Sequence, residues 1–272
     1  MAFGTIMVNV DFDEDSQDRI HIAAGIANRF GSFLIGVAGW ALRGPDDPRL
    51  SGMDYRTENA QKKILERLDQ LKATFQQIAG ETPHGTGWRS STSIPNEFIS
   101  AQARAADLLV IGQRLSPGDE LHTYDPGSVI LAAGRPVLVI PRGMRRFQPS
   151  NVLIAWKDTR EARRAVRDAL PFLKQAQSVC VAMANPAVSQ RADAQIADLV
   201  EYLGHHDISV NGQIATVADE NEGDILGELA RNHESNMIVA GAYGRTRLSE
   251  WIFGGVTRHL LLTSPVPCLF SN

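Results

Sequence analysis

The residues best placed to do chemistry form a glycine pattern late in the chain. Gly241-Ala-Tyr243-Gly244-Arg245 is followed by residues 246–253 and then by Gly254-Gly255-Val256-Thr257. Glycines let backbone N–H groups close on an anion with no Cβ in the way. A helix opening at the second cluster adds its orphan amides and the positive end of its dipole. Thr257, in the first turn of that helix, adds a hydroxyl. The chemistry is that of a phosphate cradle; the competing reading is a loop whose glycines serve turns alone.

A cradle of this kind needs a strand before it and a helix after it, and the chain supplies both twice. Thr5 to Asp11 is an apolar run followed by a helical pattern over 16–30 and a second run over 32–37. Asn151 to Lys157 is followed by a helical pattern over 159–173 and a run over 178–182. Each half then has a long amphipathic helix, over 56–78 and 189–203, with Ile64, Leu65, Leu68 and Leu71 at helical spacing. Late in each half, 107–112 matches 236–241 and 135–140 matches 264–269. Short apolar runs separated by helices are what strands buried on both faces of a parallel sheet look like. The repeat therefore predicts two α/β domains, 1–142 and 150–272, joined through a Pro- and Arg-containing linker over 141–150. The first half is longer by an insertion over 40–55, read as a loop that either covers a site or is inert.

With strand order and domain length in place, the spacing G-x-x-G, nine residues, G and a small residue resembles the universal stress protein family, and the resemblance covers the whole chain twice. It implies two tandem flavodoxin-like or Rossmann-like doubly wound five-stranded parallel sheets, strand order 3-2-1-4-5, packed as a pseudo-dimer through their final strands. It also implies ATP or another adenine nucleotide, with Mg²⁺ an open addition, at the crevice beside the first and fourth strands. Carried onto this chain, the site is Ala155, Trp156, Lys157, Met183, Gly241, Tyr243, Gly244, Arg245, Gly254, Gly255, Val256 and Thr257. The first half has a less complete counterpart in Val10, Asp11, Gly112, Gly127 and Ser128.

Both halves depart from the family pattern. The family's nucleotide binders carry an acid at the end of the first strand; Asp11 fills that position in the first half, but Lys157 does in the second. In the first half Leu115 replaces the second glycine, and the spacing to Gly127-Ser128 is longer. Phosphate binding is therefore expected mainly in the second half. Lys157 reads either as an added cation or as an ordinary exposed lysine. Trp156 reads as a base-stacking surface or as packing, and the same pair of readings holds for Trp251.

Other chemistries lack their motifs. There is no G-x-x-x-x-G-K-[ST], no G-x-G-x-x-G after the first strand, no G-x-S-x-G and no H-E-x-x-H. Asp11, Asp13, Glu14 and Asp15 could hold Mg²⁺ beside a nucleotide, but acids also favour a helix N-terminus. His205 and His206 read as a solvated helix end, and Cys180 and Cys268 as small buried hydrophobes. A hydrophobic fraction of 43% with 21% charged residues is the balance of a chain that buries a core. A formal net charge of −4 argues against nucleic acid as partner. No apolar run reaches the ~18 residues of a membrane span, and the N-terminus does not read as a signal peptide, so a cytoplasmic location is expected.

The function expected from these readings is a stress-response protein that binds adenine nucleotide and acts through that state on protein partners. With no positioned general base, no catalytic residue is assigned, and any ATP hydrolysis would be slow. Two alternatives stay open: an interaction protein without nucleotide, and an enzyme using the same crevice on a small acidic metabolite. Association of two chains into a homodimer is also left open.

Overall fold

A computed structural model describes residues 3–41, 58–80, 82, 84–114, 121–184, 190–210, 215–217, 222–243 and 255–272. In the first half β1 (Thr5–Asn9), β2 (Phe33–Gly39), β3 (Thr86–Ser91), β4 (Leu108–Gly112) and β5 (Val137–Ile140) alternate with α1 (Ser16–Phe30), α2 (Glu58–Ala79), α3 (Pro95–Gln102) and α4 (Pro126–Ala133). The second half repeats the plan. Its strands are β6 (Asn151–Trp156), β7 (Ser178–Ala184), β8 (Ala215–Val217), β9 (Met237–Gly241) and β10 (Cys268–Ser271), with α5 (Arg160–Leu173), α6 (Gln190–Gly204), α7 (Glu222–Asn232) and α8 (Gly255–Thr263) between them.

All ten strands belong to one sheet, ordered β3-β2-β1-β4-β5-β10-β9-β6-β7-β8. Each half has the order 3-2-1-4-5 and is parallel within itself, as expected. The halves meet where β5 and β10 pair antiparallel, Val139 opposite Cys268 and Val137 opposite Phe270. Pairing the two final strands removes an edge from each sheet. The expected final strand over 264–269 lies later in the chain, at β10. Pro265 and Pro267 have no N–H to give to a ladder, so pairing begins beyond them.

The helices divide between the two faces of the sheet. One apolar layer holds Ile20, Ala23 and Ala27 of α1 with Ala165, Val166 and Phe172 of α5; the other holds Val129 and Ile130 of α4 with Leu260 and Leu261 of α8. The first layer is continuous across the halves. Phe3 and Phe30 of one half stand 5.2 and 5.4 Å from the Phe172 ring of the other. Phe147 of the linker is 5.8 Å from the same ring. Helix α1 stops at Gly31, whose φ of 65° is the left-handed conformation that a C-terminal cap requires. Cys180 and Cys268 are both buried and unlinked.

Candidate functional site

In each half the first and fourth strands are neighbours whose following helices go to opposite faces. Strand β6 leads to α5 on one face and β9 to α8 on the other, while Ala155 pairs with Ala240. Such switch points leave a crevice at the C-terminal edge of the sheet. The described second-half residues predicted from sequence lie near the ends of β6, β7 and β9 and at the start of α8. Ala155 and Trp156 end β6 and Lys157 follows it, Met183 pairs with Trp156, and Gly241 ends β9. Gly255, Val256 and Thr257 open α8. Gly244, Arg245 and Gly254 lie outside the described residues, as do Leu115, Trp251 and most of the insertion after Trp40.

The glycines of the second half do different work. A Cβ on Gly241 would meet the backbone of α5, 2.7 Å from the Glu161 carbonyl carbon and 2.9 Å from the Ala162 Cα. Gly241 is thus required by the close crossing of the first turn of α5 over β9. A Cβ on Gly255 would meet nothing within 4 Å. That glycine is not demanded by packing among the described residues, and it stands exposed at the mouth of a helix. Thr257, two residues further on in the same turn, is buried.

Trp156 is packed in the core beneath α5 and α6 and is 6% exposed, so its ring is not available as a base-stacking surface. Its indole Nε1 is buried with no hydrogen-bond partner among the described residues. An unmet buried donor is costly. Lys157 is exposed. Met183 is buried in the same layer as Trp156.

The counterpart in the first half is filled by the chain's own groups. The Asp11 carboxylate takes a 2.7 Å bond from Arg19 Nη2, a 2.8 Å bond from Asn9 Nδ2 and a 3.2 Å bond from the Asp13 backbone N–H. Arg19 is fully buried. Burial alone would lower its pKa, but the Asp11 carboxylate outweighs that and keeps it charged. Its guanidinium lies against Gly112, where a Cβ would collide with Nη1. Gly112 also gives its N–H to the Tyr124 hydroxyl at 2.8 Å and receives the hydroxyl proton on its carbonyl at 3.0 Å. Burial pushes the Tyr124 phenol up to about 12.

The first-half helix start is closed as well. Asp125 caps α4, accepting from the Ser128 N–H at 2.7 Å, so a carboxylate already stands at the amides that a phosphate would use. The Tyr243 hydroxyl of the other half lies against Gly127, leaving no room for a Cβ. Tyr243 was read from sequence as part of the second-half site; its ring end instead touches the first half. It has a left-handed φ of 58°, and burial, then Asp125, raises its pKa.

Beside these groups a cleft of about 300 Å³ is lined by Phe12, Asp13, Glu14, Arg19, Arg114 and Arg142, among others. Within it Arg114 pairs with Asp13 at 2.5 Å and Arg142 with Asp15 at 3.3 Å. Burial, then Asp11, raises the Asp13 pKa. Phe12 meets the Trp40 ring edge-on and Trp40 stacks on His122, with the Arg67 guanidinium 5.4 Å from the Phe12 ring and 5.2 Å from the Trp40 ring. No group of three His, Cys, Asp or Glu suited to a metal ion occurs among the described residues. No described helix is long and apolar enough to cross a membrane.

A doubly wound α/β unit with a crevice at its switch point, present twice in one sheet, defines the structural class. Residues 149–271 of the chain match the universal stress protein family. Its fold is similar over its length to a universal stress protein from Archaeoglobus fulgidus DSM 4304. The TM-score is 0.72 at 16% identity, covering 98% of both chains. It is also similar to a protein of unknown function from Pseudomonas aeruginosa PAO1, with a TM-score of 0.58 at 16% identity over 99% of this chain and 92% of that one. At such identity the likeness is one of fold. A comparison with curated proteins gives no match.

Proposed function

We propose that the chain is a tandem stress-response protein, with domains 1–142 and 150–272, that binds one adenine nucleotide in its second half and acts through that state on protein partners. The carrying observation is the contrast between the two helix starts. Gly127 of α4 is covered by Tyr243 beside a capping Asp125, whereas a Cβ on Gly255 of α8 would meet nothing within 4 Å among the described residues. A phosphate is favoured at the open amides and the dipole of α8. The exposed Lys157 at the end of β6 supplies a cation at the same edge of the sheet. The residues present thus fit the phosphates of a nucleotide; the family's acid at Lys157 is missing, so the nucleoside end is held differently from the family pattern.

No base is positioned to activate water among the described residues, so the site is read as a binding site with slow hydrolysis at most. A cytoplasmic location accords with this reading. Native mass spectrometry of the purified chain is the test. One bound adenine nucleotide per chain is expected. Two would mean that the first half also binds; none, after incubation with ATP, would favour an interaction protein of this fold without a nucleotide.

A further inference from the structure

Helix α5 carries a row of arginines on its solvent side. Arg160, Arg163, Arg164 and Arg167 stand at i, i+3, i+4 and i+7, which is one face of a helix. Lys157 before the helix and Lys174 after it extend the row, and all six are exposed. The Arg160 and Arg163 side chains are 75% and 62% exposed. Asp158, Glu161 and Asp168 are the carboxylates beside them. Arg160 pairs with Glu161, which is buried, and Arg163 lies 3.7 Å from Asp158. Asp168 accepts from the Ser271 hydroxyl at 2.8 Å, and Arg164 donates to the Asn272 backbone oxygen at 2.7 Å. Six cations against three carboxylates leave this face net positive on a chain of net charge −4.

Helix stability does not ask for this arrangement. Arg160 and Arg163 sit in the first turn, where the dipole favours acids. Arg160 with Arg164, and Arg163 with Arg167, are like-charge i,i+4 pairs, which oppose helix formation. The matching helix of the first half, α1, does without such a row: it has Asp18 in its first turn, and Arg19 is buried.

We propose that the Arg160–Arg167 face of α5 docks a carboxylate-rich segment of a partner protein. A guanidinium fork matches a carboxylate in bidentate geometry. Carboxylates repeated at helical spacing on a partner would meet the row in register. Single-stranded nucleic acid fits less well, because the exposed face of α5 holds no aromatic residue for bases to stack on. The net negative charge of the chain also opposes a long phosphate polymer.

The test is fluorescence anisotropy of labelled poly-L-glutamate with the full chain, alongside poly(U) RNA and phosphatidylserine vesicles. Poly-glutamate should bind at low salt and weaken as the salt is raised. Arg163→Glu with Arg167→Glu should lower its affinity about tenfold or more, with an unchanged circular dichroism spectrum. Arg163→Gln with Arg167→Gln should lower it by a smaller factor, and this variant decides the matter if the charge reversal does not fold. Binding that neither pair of substitutions alters, tighter binding to RNA or vesicles than to poly-glutamate, or no binding at all would overturn the proposal.

Discussion

The Arg19 guanidinium lies 2.7 Å from the Asp11 carboxylate, with the arginine side chain 2% exposed. The pair stands just past the C-terminal end of β1. Removing one partner strands a buried charge, so Asp11→Ala should destabilise the chain by about 3–5 kcal/mol in urea unfolding. Combining Asp11→Asn with Arg19→Met should recover most of that loss. A cost for Asp11→Ala below about 1 kcal/mol would show that the pair is dispensable.

Alkaline stability should depend on two buried acids. Burial raises Tyr124 from 10.0 to about 12 and Cys268 from 9.0 to about 12. Both are protonated in the folded state at pH values where the unfolded chain releases the proton. Their contribution is therefore complete below about pH 9 and falls away as pH rises toward 12, by on the order of 2–4 kcal/mol for each group. Urea midpoints measured between these limits should drop with pH, and Tyr124→Phe and Cys268→Ala should each flatten the slope. An unchanged slope in both variants contradicts the assignment.

Gly241 and Gly255 should respond oppositely to a methyl group. In Gly241→Ala the added Cβ meets the α5 backbone at Glu161 and Ala162, and the clash should cost about 1–3 kcal/mol. In Gly255→Ala the methyl meets nothing within 4 Å among the described residues, and alanine is the better helix former by up to about 1 kcal/mol. Thermal unfolding should place the first variant below the parent and the second level with it or above.

Much of the architecture was legible because apolar periodicity is read by the same forces that build a buried parallel sheet. The bounds of α1 coincide with the expected 16–30, and those of α2, α5 and α6 lie within about two residues. Strands β3 and β8 are edge strands; β3 is only part-buried, and neither has a strong apolar run, so the sequence offered little to place them. The closing of the first-half site was written in the sequence but not read from it. Arg19 sits i−4 and i−7 from Ala23 and Ile26, both buried, so the helical pattern already pointed it inward. Asp125-Pro126 is an N-cap followed by proline in the first turn, a helix-start signal independent of the glycine spacing. The contact of Tyr243 with Gly127 had no local signal, since it depends on how the two halves meet.

That contact should be measurable as coupling between the halves. Gly127→Ala displaces the Tyr243 hydroxyl and should destabilise the chain, while Tyr243→Ala should leave room for the methyl. A double-mutant cycle should return a coupling above about 0.5 kcal/mol. Additive effects would place Tyr243 and Gly127 apart in solution.

The assignment of the nucleotide to the second half is tested most directly by titrating ATP calorimetrically into the parent chain, Gly255→Val and Asp125→Ala. A valine at Gly255 fills the space before the α8 amides, and ATP affinity should fall more than about tenfold, or about 1.4 kcal/mol. Asp125→Ala opens the first-half helix start and should leave the parent affinity unchanged within about twofold. Affinity kept in Gly255→Val and altered in Asp125→Ala would contradict the account and place the nucleotide in the first half.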